Sequence, residues 1–274
     1  MKMLLCTIGS KRREVTLQFG VQVAKALAAD LTLLGVTDKD VRLAELTKIL
    51  EKTAADLSEG GLNVVLQVLT GDAEAAVMEQ MKQTAYDLVV LGSLAGKRSR
   101  RRFLDSVGMH IIEQASTSVL LVKGNRTSLS KILICASGTE HGHLSIWAGA
   151  AVGCGAGAKA TVLHVTEAMP AMYGGLEQME ETLAELLQSD TEKARELRWA
   201  TQVVKAECEI SEVKLRRGIV ADEILREAEV GNHDLIVLGS SQSAGGLVRA
   251  LMGDLAREVV TRAQRPVLVV RPIE

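Results

Sequence analysis

Asp87-Leu88-Val89-Val90-Leu91-Gly92-Ser93 returns later in the chain as Asp234-Leu235-Ile236-Val237-Leu238-Gly239-Ser240. Each copy is an unbroken apolar run that stops at Gly-Ser. Such a run predicts a parallel strand with helices on both faces, because neither side needs a polar stripe. In an open α/β sheet the carboxyl end of such a strand is where loops and helix N-termini converge on ligands.

Working outward, the repetition covers the whole chain. Lys2-Met3-Leu4-Leu5-Cys6 recurs as Lys131-Ile132-Leu133-Ile134-Cys135, and Leu31–Thr37 recurs as Ala160–Thr166 at the same offset of 129 residues. Gly71 matches Gly218 and Asp87 matches Asp234 at an offset of 147, so the second copy is longer between its second and third strands. Val119–Val122 matches Val267–Val270 at 148. The reading is two domains, 1–125 and 130–274, joined near Gly124–Ser130.

Strands are expected near 2–8, 31–37, 62–69, 87–92 and 118–123, with helices near 13–29, 40–59, 72–85 and 105–115. Asp72 after Gly71 is a helix N-cap. The second half repeats the strands near 131–136, 160–166, 209–216, 234–239 and 266–271, and its extra residues lengthen one helix, roughly 176–206. Right-handed crossovers make each half a doubly wound, Rossmann-like five-stranded parallel sheet flanked by helices.

Composition excludes several classes. A chain of 274 residues with net charge −2 and 24% charged residues is expected to be globular and argues against general nucleic-acid binding. Aromatic residues make up only 2%, too few for base-stacking platforms. No apolar run approaches the roughly 20 residues of a membrane span, and the N-terminus enters a strand directly, so a cytoplasmic protein without membrane partners is expected. Cys6, Cys135, Cys154 and Cys208 lack CxxC spacing and read as buried reduced thiols. Trp147 and Trp199 read as core anchors.

The ordered set of Gly71-Asp72, the Asp-Leu-Ile-Val-Leu-Gly-Ser strand, a Gly/Ser-rich loop and the closing Pro266–Val270 segment resembles the universal stress protein family, in both halves. The resemblance implies an adenine-nucleotide α-hydrolase-like fold and an intramolecular pseudo-dimer in which the last strands pair across the centre, with a homodimer left open. It also implies a cleft for ATP or another adenine nucleotide. ATP-binding members carry an Asp at the end of the first strand and a G-x-x-G-x9-G-[S/T] loop after the fourth. Glycines there let backbone amides approach phosphates, and the final hydroxyl residue opens a helix whose N-terminus favours anions.

On that motif, the cofactor-binding candidates are Gly92, Ser93 and Ser106 in the first half and Gly239, Ser240 and Gly253 in the second. The motif is degenerate in both. Ile8 and Ser137 stand at the Asp position, Ala95 and Asp105 replace glycines, Gln242 replaces another, and Asp254 takes the final Ser position. A carboxylate at a helix N-terminus caps the amides itself and repels phosphate, which argues against strong ATP binding. In the opposite direction, Lys97, Arg98, Arg100, Arg101 and Arg102 join Lys11, Arg12 and Arg13 at one end of the first sheet, where Arg98 and Arg101 are candidates for an anionic ligand. A solvated basic face is the plainer reading.

His141, His143 and His164 lie toward the same end of the second sheet but lack a completing ligand set, so no metal is expected and surface or loop histidines are preferred. The glycines of Ala148–Ala158 imply close helix packing. Met169–Gly175 reads as an ordinary loop or a lid over the cleft. No catalytic constellation stands out. The expected function is a non-catalytic stress-response or regulatory module with degenerate nucleotide sites. The alternatives are a ligand-free interaction scaffold, whose protein partner the sequence does not name, and a weak ATPase.

Overall fold

The computed structural model describes residues 1–8, 13–37, 40–92, 107–137, 142–166, 182–207, 210–240 and 253–272. The first half runs β1 (Lys2–Ile8), α1 (Arg13–Ala26), β2 (Asp30–Thr37), α2 (Asp40–Glu59), β3 (Val64–Thr70), α3 (Ala73–Gln83), β4 (Leu88–Gly92), α4 (Val107–Gln114) and β5 (Ser118–Val122). The second runs β6 (Lys131–Ala136), α5 (His143–Ala156), β7 (Lys159–Thr166), α6 (Leu183–Gln188), α7 (Glu192–Glu207), β8 (Ile210–Arg217), α8 (Val220–Val230), β9 (Leu235–Gly239), α9 (Asp254–Arg262) and β10 (Val267–Val270).

All ten strands join one sheet in the order β3-β2-β1-β4-β5-β10-β9-β6-β7-β8. Every neighbouring pair is parallel except β5 and β10, which meet antiparallel. Leu120 faces Leu268 at that junction, with Val119 opposite Val269 and Leu121 opposite Val267. Because Leu120 and Leu268 are equivalent residues of the two halves, the junction lies on a pseudo-twofold axis. The pairing joins two strands that would otherwise be bare sheet edges.

The repeated Asp has a local structural task. Asp87 accepts the Lys2 backbone amide at 2.8 Å, and Asp234 accepts the amides of Ser130 and Lys131 at 2.8 and 3.1 Å. Each carboxylate thus ties the start of the fourth strand of its half to the start of the first. The apolar residues that follow are buried on both faces: Leu88–Leu91 and Leu235–Leu238 are at most 2% exposed. Burying each such side chain is worth roughly 1.5–3 kcal/mol. Asp72 caps α3 as the Gly71-Asp72 pair predicts, accepting the Ala75 amide at 2.8 Å.

The helices of the two halves also meet. Gly149 brings α5 down onto Ile134 of β6, while Gly155 lets the carboxyl end of α5 touch that of α1, where a Cβ would collide with the Ala26 carbonyl. Gly155 and Ala26 are again equivalent residues, so this contact sits on the same pseudo-axis.

The single long helix expected over 176–206 is not continuous within its described part. It divides into α6 and α7 at Ser189-Asp190-Thr191, because Thr191 Oγ1 accepts the Ala194 amide and starts a new helix. The start of α6 is fixed by a capping box between Thr182 and Glu185.

Candidate functional site

In the order β3-β2-β1-β4-β5 the chain reverses direction across the sheet beside β1, and in the second half it does so beside β6. Ligands of open α/β sheets bind at the carboxyl ends of the strands at such switch points. The second half has a cavity of about 310 Å³ at this place. Cys135, Ala136 and Ser137 from the end of β6 form one wall; Leu163 and Val165 of β7 form the next. Leu238, Gly239 and Ser240 close the β9 side, and Val220, Ile224, Ser145, Gly142 and Leu255 complete the lining from the helices. Alternation along β7 explains which side chains enter: Leu163 and Val165 point into the cavity and His164 points to the opposite face.

Of the residues expected at this site, Gly239 and Ser240 line the cavity. The Ser240 amide is committed to the Val270 carbonyl at 2.9 Å, which fixes the turn leaving β9. Gly253 lies at the N-cap of α9, whose Leu255 reaches the lining. Asp254 opens α9 on that side and is exposed. In the first half Gly92 ends β4 under α1, and a Cβ there would collide with Thr16 Oγ1. Its lack of a side chain therefore serves helix packing directly. Ser93, Ser106, Arg98, Arg101 and the rest of the 97–102 basic cluster, with Lys11 and Arg12, lie outside the described residues; so do His141, Met169–Gly175 and Gln242.

His164 and His143 differ from the surface or loop reading. His164 is 3% exposed, with Nδ1 bonded to the Ala136 carbonyl at 2.9 Å. Burial lowers its pKa, the carbonyl opposes this, and Lys193 adds to the lowering. His143 is half-buried, pairs through Nε2 with Glu196 at 2.6 Å and stacks on Trp199 with ring centroids 3.8 Å apart. No group of three or more candidate metal ligands occurs among the described residues. Trp147, read as a core anchor, is 50% exposed and meets Trp199 edge-on. Cys6 is buried and Cys135 partly so, but Cys154 is exposed, since it lies on the outer face of α5. No helix among the described residues is long and apolar enough to cross a membrane.

One constellation was missed at the sequence level. Glu227 of α8 is fully buried and accepts Lys214 Nζ at 2.8 Å, the guanidinium of Arg216, and faces His233 Nε2 at 3.4 Å. Burial alone would raise its carboxyl; hydrogen bonds from Lys214, Arg216 and His233 outweigh this and hold it below the usual range. The first half has neutral counterparts of three of these four residues, where Gln80 donates to Gln67 at 2.6 Å and accepts Tyr86 OH at 3.3 Å. The offset of 147 residues relates all three pairs, and the alternation of Glu212, Lys214 and Arg216 in β8 was the available signal.

The universal stress protein family model matches residues 1–123 and 129–271. A search of curated proteins returns no significant match. Among solved structures, a functionally unknown protein, PA1789, of Pseudomonas aeruginosa PAO1 is 19% identical, with TM-score 0.72 over 99% of this chain and 92% of its own. A putative universal stress protein of Pseudomonas aeruginosa UCBPP-PA14 is 18% identical, with TM-score 0.71 over 99% and 93% of the two chains. A universal stress protein of Archaeoglobus fulgidus DSM 4304 is 18% identical, with TM-score 0.65 over 98% and 96%. These likenesses agree with the ten-stranded architecture, and the family match in both halves settles the assignment: the chain is a tandem member of the universal stress protein family.

Proposed function

We propose that this protein is a non-catalytic regulatory binding module of the stress response, and that its second domain, 130–274, receives an adenine nucleotide or a related small anionic ligand. The cavity at the β6 switch point carries this reading. Its volume is near the lower end of the roughly 300–1,000 Å³ typical of ligand pockets, and its walls are mostly apolar, with Ser137, Ser145 and Ser240 as the polar side chains. Such a lining suits the flat base of a nucleotide. The phosphate side is less favourable, because Asp254 adds a negative charge to the N-terminus of α9. The ligand is therefore expected to bind mainly through its base and sugar. Gly92, Ser93, Ser106, Arg98 and Arg101 mark the corresponding candidate site of the first domain, 1–125.

Calorimetric titration with ATP, AMP and a nucleotide-free polyphosphate, at low and high salt, tests the proposal. Saturable binding of AMP and ATP that survives salt, and is lost in Val165→Trp with the fold retained, is the expected result. Binding of polyphosphate alone, abolished by salt, would move the site to the basic loop. Absence of all binding would overturn the nucleotide reading and favour the scaffold.

A further inference from the structure

Among the described residues the ten-stranded sheet ends in two free strands, β3 and β8, which are equivalent in the two halves and differently equipped. β8 has the features that protect an edge: Glu212, Lys214, Arg216 and Arg217 along eight residues, and a break in register against β7 between Ala160 and Thr161. β3 has neither. Its sequence, Val64-Val65-Leu66-Gln67-Val68-Leu69-Thr70, contains no charge and no proline, and it pairs with β2 in unbroken register from Val64 to Thr70. Where β8 carries Glu212, Lys214 and Arg216, β3 carries Val65, Gln67 and Leu69. Val65 is 52% exposed and Leu69 is 40% exposed.

The backbone shows which groups are free. The Asn63 carbonyl accepts the Leu31 amide and the Gly71 amide donates to the Thr37 carbonyl, so odd-numbered residues of β3 address β2. In a parallel strand the alternate residues then turn their amides and carbonyls outward. Val64, Leu66, Val68 and Thr70 therefore present an unpaired ladder along the free edge.

We propose that β3 is a homodimerisation edge, occupied by β3 of a second copy of this chain in antiparallel pairing. The segment is self-complementary about Gln67. With Gln67 opposite its own copy on a twofold axis, outward-facing Leu66 and Val68 pair through hydrogen bonds, as do Val64 and Thr70. Exposed Val65 then lies against exposed Leu69 of the other copy. The groove of about 220 Å³ beside Val65, bounded by Leu31, Thr32, Thr84 and Tyr86 with Lys2 and Asp30 at the strand starts, receives that leucine. No charge within β3 is desolvated, and twofold closure satisfies both edges without leading to a filament. The interface continues the hydrogen-bond ladder of the sheet and uses the same antiparallel geometry that joins β5 to β10.

Sedimentation velocity of the full chain over a wide concentration range tests this. The wild type sediments as a dimer. Gln67→Lys places two ammonium groups opposite each other on the axis, and Gln67→Glu two carboxylates; each alone is expected to raise the dissociation constant by about 100-fold. Mixing the two variants restores a dimer, because Lys then faces Glu, an outcome that loss of folding cannot mimic. Val68→Pro, which removes an outward amide without touching the β2 ladder, gives a monomer with an unchanged circular dichroism spectrum. A wild type that is monomeric at every concentration overturns the proposal. A dimer indifferent to Val68→Pro, or variants not rescued by mixing, also overturns it.

Discussion

Lys123 and Arg271, equivalent residues just beyond β5 and β10, each cap a helix of the opposite half. Lys123 Nζ donates to the carbonyls of Val260 and Thr261 at 2.5 and 3.1 Å, at the end of α9. Arg271 Nη2 donates to the carbonyl of Ile112 in α4 at 2.5 Å. Both side chains are nearly buried, at 6% and 3% exposure, and burial lowers the Arg271 pKa. A cation at a helix C-terminus meets unpaired carbonyls and the negative end of the helix dipole. The exchange makes each half complete the other's last helix. Lys123→Met and Arg271→Met should each cost about 1.5–3 kcal/mol, the worth of a hydrogen bond to a charged group. Denaturant unfolding of the double variant should separate into two transitions where the wild type shows one.

Gly155 is the corresponding contact between helices. Gly155→Val drives a branched side chain into the Ala26 carbonyl, and overpacking of this kind costs about 1–3 kcal/mol. A lowered thermal midpoint is expected. Gly157→Val provides a different comparison, since that residue has open space around it but a left-handed backbone at φ +61°.

The Glu227 network should give the second half an acid sensitivity that the first half lacks. The carboxyl is depressed in the folded state, so its contribution is present above the ordinary carboxylate range and is lost as pH falls through the folded value. His233 is lowered, first by burial and against the pull of Glu227, so its protonation below about pH 6.5 also favours unfolding. Hydrogen exchange at falling pH should therefore show α8 and β8 opening before α3 and β3. Glu227→Ala should cost about 1.5–3 kcal/mol by removing the charged hydrogen bonds of a buried carboxylate, while Lys214 keeps Glu212 and Arg216 keeps Glu223 as partners. The neutral set Glu227→Gln, Lys214→Gln, Arg216→Leu and His233→Tyr, copied from the first half, should flatten the pH dependence.

Asp254 should limit anion binding at α9. A single carboxylate at a helix N-terminus shifts the energy of a nearby anion by about 0.3–1 kcal/mol. Asp254→Ser should accordingly tighten ATP by about 2–5-fold and leave adenosine unchanged, as read by calorimetry.

Thiol labelling should separate the cysteines. Cys154 is exposed and should react with a maleimide in the native protein. Burial pushes the Cys6 thiol well up, so it should react only on unfolding, while Cys135, partly buried in the cavity wall with its thiol pushed up to about 12, should react more slowly than Cys154.

The sequence by itself determined the parts governed by short-range pattern. Two copies of a βα order, the unbroken apolar runs at Leu88–Leu91 and Leu235–Leu238, and the Asp72 cap all follow from periodicity and local hydrogen bonding. The turn leaving β9, at Gly239 and Ser240, was legible for the same reason, and these two residues line the cavity. The split between α6 and α7 was not, because a Ser-Asp-Thr cap competes with helix by a small margin that periodicity does not register. Only the tertiary structure decided what depends on residues far apart in the chain. No short-range pattern joins Lys214, Glu227 and His233, yet the fold gathers Lys214 and His233 on Glu227. It also brings Thr16 over Gly92 and Lys123 to Val260. Burial of charge and close backbone approach are properties of packed surfaces, and two surfaces exist only once the sheet has brought them together.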